Sequence, residues 1–316
     1  MLRSAHWLER QLGERPASDP ADVPAFRTSL PLPLPRGITE ADLRRVFSTW
    51  SIDGEPPGHM DPYVGESIDR FVHTYGLVAG ASGRCLELGA NPYFTTWLLD
   101  EFTDLELELA NYFDGTKASV TQPVRYTGLD GADRERAYES KLFNIEDDPF
   151  PYDDGSLDVV LFCEILEHLL MRPVGVLGEI HRILKPGGVL VVTTPNVYRL
   201  ENAIRFANWE NFSDLYSGHG PYGRHNREYT MSEVQFLLGF AGFDIEVSFT
   251  SDGHHTAYEA LPRYAEVARL LAGHPDELGG YLFIRARKAR APQHGLPARL
   301  FRSWPEGVIV GDVPEA

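Results

Sequence analysis

The run Leu157-Asp158-Val159-Val160-Leu161-Phe162-Cys163, followed at once by Glu164-Ile165-Leu166-Glu167-His168, constrains the fold more than any other stretch of this chain. It is short and nearly all apolar, and the turn Asp153-Asp154-Gly155-Ser156 leads into it, so it reads as a strand covered on both faces within a parallel sheet. Ligands of open α/β sheets bind beyond the carboxyl ends of the strands, which is where Glu164, Glu167 and His168 fall. If the chain turns helical at Glu164, these residues have i, i+3, i+4 spacing and share one face. The plainer alternative is that Glu164 orients the loop, Glu167 is solvated and His168 makes a structural hydrogen bond.

The surrounding segments alternate between strand and helix. Residues 84–88 read as a first strand, about 93–102 as a helix and 105–110 as a second strand. Residues 120–126 and 140–145 look like two strands around a polar loop at 128–136, a hairpin in place of a crossover helix. After the 158–163 strand, residues 173–184 form a helix with Val174, Leu177, Ile180 and Leu184 on one face. Lys185-Pro186-Gly187-Gly188 stops it, and 189–194 is a buried strand. Thr230 and Glu233 cap a helix through Phe240, residues 244–249 read as a strand, and 281–287 as an antiparallel last strand. The expected fold is α/β, doubly wound, with a mostly parallel sheet.

Flanking segments complete the organisation. Pro16 to Pro35 carry six prolines and favour an extended path, an arm over the domain. A capping box at Thr39 and Asp42 starts a helix through Trp50, and Asp61-Pro62 opens another through about Tyr75. The expected division is an arm and covering helix over 1–60, one domain over 61–290, and a tail over 291–316. Residues 196–228, rich in Asn, Tyr, Trp, Gly, His and Arg, follow a strand end and read as a substrate lid.

Charge narrows the function. The chain has 316 residues, with 29 lysines and arginines against 46 acidic residues and a formal net charge of -17. That balance argues against nucleic acid as the main partner, although Arg199, Arg205, Arg224 and Arg227 form a local basic group. The two cysteines, Cys85 and Cys163, fall in or at the end of strands and imply no disulfide framework. No stretch reaches the roughly 18 apolar residues of a membrane span, and a cytoplasmic protein is the expectation.

Four motifs in order carry a family resemblance: Glu87-Leu88-Gly89-Ala90-Asn91-Pro92, the run from Asp147 to Asp158, Glu164 to Leu169, and Leu184-Lys185-Pro186-Gly187-Gly188. Over about residues 60–290 the chain resembles class I S-adenosylmethionine-dependent methyltransferases. That resemblance implies a glycine turn at Gly89 and Ala90 against the cofactor, with Glu87 ordering the loop near its methionine part. Of the usual glycines only Gly89 is present, and Asn91-Pro92 suggests a cap and the first residue of the next helix. It also implies a ribose partner at Asn111, with Glu108 in reserve, and an adenine pair at Asn144 and Ile145. Cys163 and Glu164 complete the expected cofactor contacts.

Glu164-x-x-Glu167-His168 with His225 further resembles the Glu-x-x-Glu-His plus distant His set of small-RNA 2′-O-methyltransferases, and is similar to ubiquinone-pathway O-methyltransferases. The resemblance implies a divalent metal such as Mg at Glu164, Glu167, His168 and His225, beside an acceptor hydroxyl. Without a metal, His168 or His225 is the proton acceptor. Tyr198, Trp209, Tyr216 and Tyr222 are candidates for stacking on the acceptor, and Arg199, Arg205 and Arg224 for pairing with its phosphate or carboxylate. The expected activity is O-methylation of a small molecule such as a sugar or a lipid-linked saccharide. Competing readings are an N-methyltransferase, a quinone-type O-methyltransferase, a nicotinamide-dependent oxidoreductase and a non-catalytic cofactor-binding protein.

Overall fold

In the computed structural model, which describes residues 30–113, 117–252, 258–305 and 307–311, the chain enters through α1 (Glu40–Phe47), the short strand β1 (Ser51–Ile52) and α2 (Asp61–Val78). Thr39 and Asp42 close a full capping box on α1. Alternation follows with β2 (Ser82–Leu88), α3 (Phe94–Phe102) and β3 (Asp104–Asn111). The strands β4 (Ser119–Thr127) and β5 (Asp133–Leu142) form the hairpin expected in place of a crossover helix. Next come β6 (Leu157–Cys163), α4 (Pro173–Ile183), β7 (Leu184–Pro195) and α5 (Leu200–Ala207). The chain then runs through α6 (Met231–Phe240), β8 (Phe243–Ser251), α7 (Tyr264–Leu271) and β9 (Tyr281–Lys288). A second capping box, Thr230 with Glu233, starts α6. In the tail, β10 (Leu296–Pro297) and β11 (Ile309–Val310) make a small parallel pair.

Nine strands form one sheet in the order β1-β4-β5-β3-β2-β6-β7-β9-β8. From β5 through β7 all pairings are parallel, and β9 runs antiparallel between β7 and β8. This is the expected doubly wound fold. The order reverses between β2 and β6, the topological switch point at which such sheets open a crevice. Strand β6 is covered on both faces. Val159 and Leu161 enter the core beneath α1, α2 and α3, while Leu157, Val160 and Phe162 enter the core beneath α4 and α6.

Three local expectations are corrected. β5 begins at Asp133, inside the expected loop, because its first half pairs only with β4 and stays polar and largely exposed. α3 starts at Phe94 with Tyr93 in left-handed backbone before it, so Asn91 is not its cap and Pro92 not its first residue. The 196–228 segment holds a helix, α5, which packs with the unforeseen α7 around Leu200, Ile204, Tyr264 and Val267 as a third apolar cluster. Most of the proline-rich stretch lies outside the described residues. Its last part, including Leu32 and Leu34, packs on the α2 side of the core.

α2 reaches the far strands through His73, which is 3% exposed and packs against Phe249 and Phe283. Ser251 Oγ accepts from the Leu30 N–H at 3.0 Å and lies 3.2 Å from His73 Nε2. A neutral imidazole accepts the hydroxyl proton there, and burial pushes the His73 pKa down to about 4. The unfolded chain protonates this residue near pH 6.5, so the unfolded state binds more protons between about 6.5 and 4. Stability from this residue is therefore lost as the pH falls through that window. We predict that His73→Gln shows a smaller drop in unfolding free energy between pH 6.5 and 4.5 than the parent, measured by urea titration. Parallel curves would refute a buried neutral His73.

Candidate active site

A cavity of about 340 Å³ opens at the switch point, beyond the carboxyl ends of β2 and β6. α2 roofs it with Tyr63, Glu66, Ser67, Arg70, Phe71 and Thr74, residues three and four apart that share one helix face. The floor is the turn from Glu87 to Pro92, and the far wall holds Cys163, Glu164, Glu167, His168, Thr193, His225 and Tyr281.

Gly89 has φ +69°, which glycine adopts freely, and an added Cβ would sit 3.1 Å from Ile165 Cδ1. Its N–H donates to the Ala110 carbonyl at 2.8 Å, which ties the turn to the end of β3. Beside it Glu87 is buried and accepts from Thr96 Oγ1 at 2.6 Å. Burial pushes its pKa up to about 8, against the Thr96 hydrogen bond. Ala90 and Asn91 line the same cavity, as does Cys163, whose thiol burial pushes up to about 12.

Asn111, Asn144 and Ile145 do not line this cavity. Asn111 is buried, accepting from the Asn91 N–H at 3.0 Å and donating to Ser140 Oγ at 2.9 Å. Asn144 shapes its own turn, accepting from the Glu146 N–H at 2.9 Å and donating to Tyr222 Oη at 3.1 Å. Glu108 pairs with Arg84 and Lys141. Asn111, Asn144 and Glu108 thus already have partners within the chain.

Glu164 departs from the shared face expected of it. The residue after β6 takes φ +54°, and the following turn is a 3-10 helix, Leu166–His168. Glu164 therefore lies near Glu167 but outside the group of ligand atoms that Glu167 forms with His168 and His225. Its carboxylate accepts from Thr193 Oγ1 at 2.9 Å and pairs with Arg70 Nη1 at 3.3 Å. Arg70 also donates to Tyr63 Oη at 2.8 Å and lies over the rings of Tyr63, Phe71 and Tyr281.

Glu167, His168 and His225 converge instead. One ligand atom from each lies within 4.8 Å of the others. Glu167 is wholly buried. Its Oε2 accepts from Thr194 Oγ1 at 2.9 Å, and its Oε1 makes no hydrogen bond among the described residues but lies 3.8 Å from His168 Nε2. Burial first, then the charge of Glu164, raises its pKa. His168 Nδ1 meets the Arg224 carbonyl at 3.0 Å, a contact that only an N–H can make, which leaves the Nε2 lone pair free. His225 Nδ1 meets Glu228 Oε1 at 3.4 Å and its backbone N–H donates to Asp214. Burial, followed by the charge of His225, lowers the His168 pKa. At His225 burial is outweighed by Glu228, Glu167 and Asp214, which raise its pKa. The loop is fastened to the turn by Asn226, whose backbone N–H donates to the Glu167 carbonyl at 2.7 Å.

The remaining acceptor candidates lie elsewhere. Trp209 and Tyr216 are exposed, and Tyr198 and Tyr222 do not line the cavity. Arg199 pairs with Glu228, Arg205 with Glu201 and Arg227 with Glu233, so three of the four local arginines are neutralised within the chain. The helix opened by Asp61-Pro62 was expected on the substrate side, but its individual lining residues were not singled out, nor were Phe94, Thr95, Thr193 and Tyr281. Polar Glu66, Ser67, Arg70 and Thr74 at three- and four-residue spacing along one helix face were the available signal.

Comparison with known proteins identifies the family. A family model described as a methyltransferase domain matches residues 59–246. A protein of Mycolicibacterium smegmatis, described as a probable S-adenosylmethionine-dependent methyltransferase, is 35% identical over 103 residues, 33% of this chain. The match spans about a third of that relative's length (34%). Among solved structures, an S-adenosylmethionine-dependent methyltransferase from Archaeoglobus fulgidus overlaps with a TM-score of 0.47 at 15% identity, covering 73% of this chain and 100% of that one. The Burkholderia thailandensis 1,6-didemethyltoxoflavin-N1-methyltransferase gives 0.40 at 17% identity, covering 73% and 82%. With its family match over more than half its length, the chain belongs to the methyltransferase-domain family, in the class I S-adenosylmethionine-dependent group.

Proposed function

We propose that this protein transfers the methyl group of S-adenosylmethionine to a hydroxyl of a small molecule, a sugar or glycosylated metabolite, with a divalent metal at Glu167, His168 and His225. The observation that carries the reading is the convergence of these three side chains in the wall of the same cavity that the Gly89 turn floors. S-adenosylmethionine would supply an electrophilic methyl group that bonds to the acceptor oxygen as the methyl–sulfur pair stays on sulfur, so the protein must present that oxygen in line and accept its proton. A bound dication supplies charge that favours the deprotonated hydroxyl.

The donor set suits such an ion. Glu167 Oε1 is a buried acceptor without a hydrogen bond among the described residues, 3.8 Å from His168 Nε2, a spacing that suits a shared cation, and both histidines have Nδ1 held by oxygen acceptors. One carboxylate with two imidazoles favours Mn, Fe, Co or Zn over the Mg expected from resemblance, since Mg prefers oxygen and retains water. Glu164, spent on Arg70 and Thr193, is left out of the set. Where the metal is absent, His168 is the group placed to take the proton, because its lowered pKa keeps it neutral.

Arg70 is paired with Glu164, and burial favours the neutral forms of Glu87 and Glu167, so among the described residues no unpaired arginine lines the cavity to hold an anionic acceptor; a neutral or cationic one fits better, and an amine is the second reading. Metal-assisted hydroxyl transfer would slow on chelation to what His168 alone supports, whereas amine transfer would be unchanged by it.

Calorimetric titration of S-adenosylmethionine, with and without Mn, is the deciding experiment, and binding by the parent protein is the expected outcome. Gly89→Val should abolish that binding, because the branched side chain meets Ile165 in strained left-handed backbone. Unchanged affinity would displace the cofactor from this turn. His225→Ala should leave cofactor affinity within about twofold while cutting turnover about 100-fold or more, and weaken the Mn titration. Equal loss of cofactor in both variants would contradict this division of the site.

A further inference from the structure

The turn that floors the cavity holds its shape without the usual run of glycines. Tyr93, at its end, sits at φ +71°, a backbone region that a bulky aromatic residue occupies only when its surroundings hold it there. Those surroundings come from the β4–β5 hairpin. Tyr93 stacks on Tyr138 with centroids 4.9 Å apart, and its hydroxyl donates to Gln122 Oε1 at 2.6 Å and lies 3.3 Å from Ser140 Oγ. Asn91 Nδ2 donates to the same Gln122 Oε1 at 3.2 Å. Gln122 is oriented in turn, because its Nε2 donates to Asp53 Oδ2 at 2.6 Å. Asp53 follows β1, which pairs with β4, and its own N–H donates to the Pro123 carbonyl at 3.1 Å.

From this arrangement we infer that Gln122 is a positioning residue for cofactor binding. The inserted hairpin, through Gln122 and braced by Asp53, imposes the conformation of the Gly89 to Tyr93 turn that glycines would otherwise permit. Gln122 does not line the cavity, so it acts through Asn91 and Tyr93. Its amide is suited to this: one oxygen accepts from two turn residues while the nitrogen is fixed by a carboxylate. The inference rests on the methyltransferase reading, since it takes the cavity as the cofactor's.

The test is titration of S-adenosylhomocysteine into the parent protein, Gln122→Met, Gln122→Glu and the double variant Asp53→Asn/Gln122→Glu. Arg125→Ala, which removes an exposed pair with Glu135 on the same hairpin, is the control. Losing two hydrogen bonds to the turn should weaken binding about tenfold in Gln122→Met. Gln122→Glu keeps the acceptor but sets a carboxylate against Asp53, and should weaken binding too. Adding Asp53→Asn places a donor opposite it and should return affinity to within about twofold of the parent, which general destabilisation would not do. Hydrogen exchange at the amides of residues 89–93 should quicken in Gln122→Met and not in Arg125→Ala. If the parent binds and Gln122→Met binds equally well, the positioning role is overturned. If the parent itself does not bind, the methyltransferase reading falls, and the exchange rates alone decide whether the hairpin holds the turn.

Discussion

The ion pair between Arg70 and Glu164 is the contact on which the rest of the site depends. Strand β6 ends inside the protein, so a carboxylate placed directly after it has little water to meet and must find a counter-charge. Arg70 provides it at 3.3 Å from the middle of the roof helix. The pair does two structural jobs at once. It draws α2 down across the strand ends, closing the cavity, and it holds Glu164 in left-handed backbone, so that the chain leaves the sheet through a tight turn. Breaking one side of a buried pair typically costs about 3–5 kcal/mol, because the other charge is left stranded. The aromatic rings of Tyr63, Phe71 and Tyr281 around the guanidinium lessen its desolvation but cannot replace the carboxylate.

Once that turn is set, the properties of the three converging side chains follow from their surroundings. Glu167 is buried near the negative Glu164, and both influences favour its neutral form. His168 and His225 face each other with ring centroids 5.0 Å apart and shift in opposite directions. At Nδ1 one histidine has a backbone carbonyl, and the other has Glu228, itself held by Arg199 and Asn202. Two chemically identical rings thereby become distinct, one inclined to stay neutral and one inclined to carry charge.

How much of this was legible in the sequence depended on whether the cause was local. The apolar run at 157–163, the two capping boxes and the proline-marked start of α2 are local signals, and each became the element expected. The hairpin was legible from its apolar residues, but the charged first half of β5 resembled a loop because only one neighbour covers it. Glu167, His168 and His225 came together as their pattern suggested. Glu164 did not join them, because its direction is decided by Arg70, far upstream. Asn111 and Asn144 lie at suitable strand ends, yet their side chains turn to Asn91 and Glu146, partners that strand position does not reveal.

The same distinction separates the two ways of shaping a cofactor turn. Glycines make the left-handed conformation cheap from within, and they leave the turn equally free to abandon it. Here one glycine remains, and the rest of the shape is enforced from outside by side chains on β3, β4 and β5, with Trp50 bonded to the Pro92 carbonyl at 3.1 Å. A turn held this way loses less freedom when a ligand settles on it, which favours binding, and its geometry becomes a property of the whole hairpin. The polar strand pair that replaces a crossover helix is therefore part of the support of the cavity floor, although none of its residues lines the cavity.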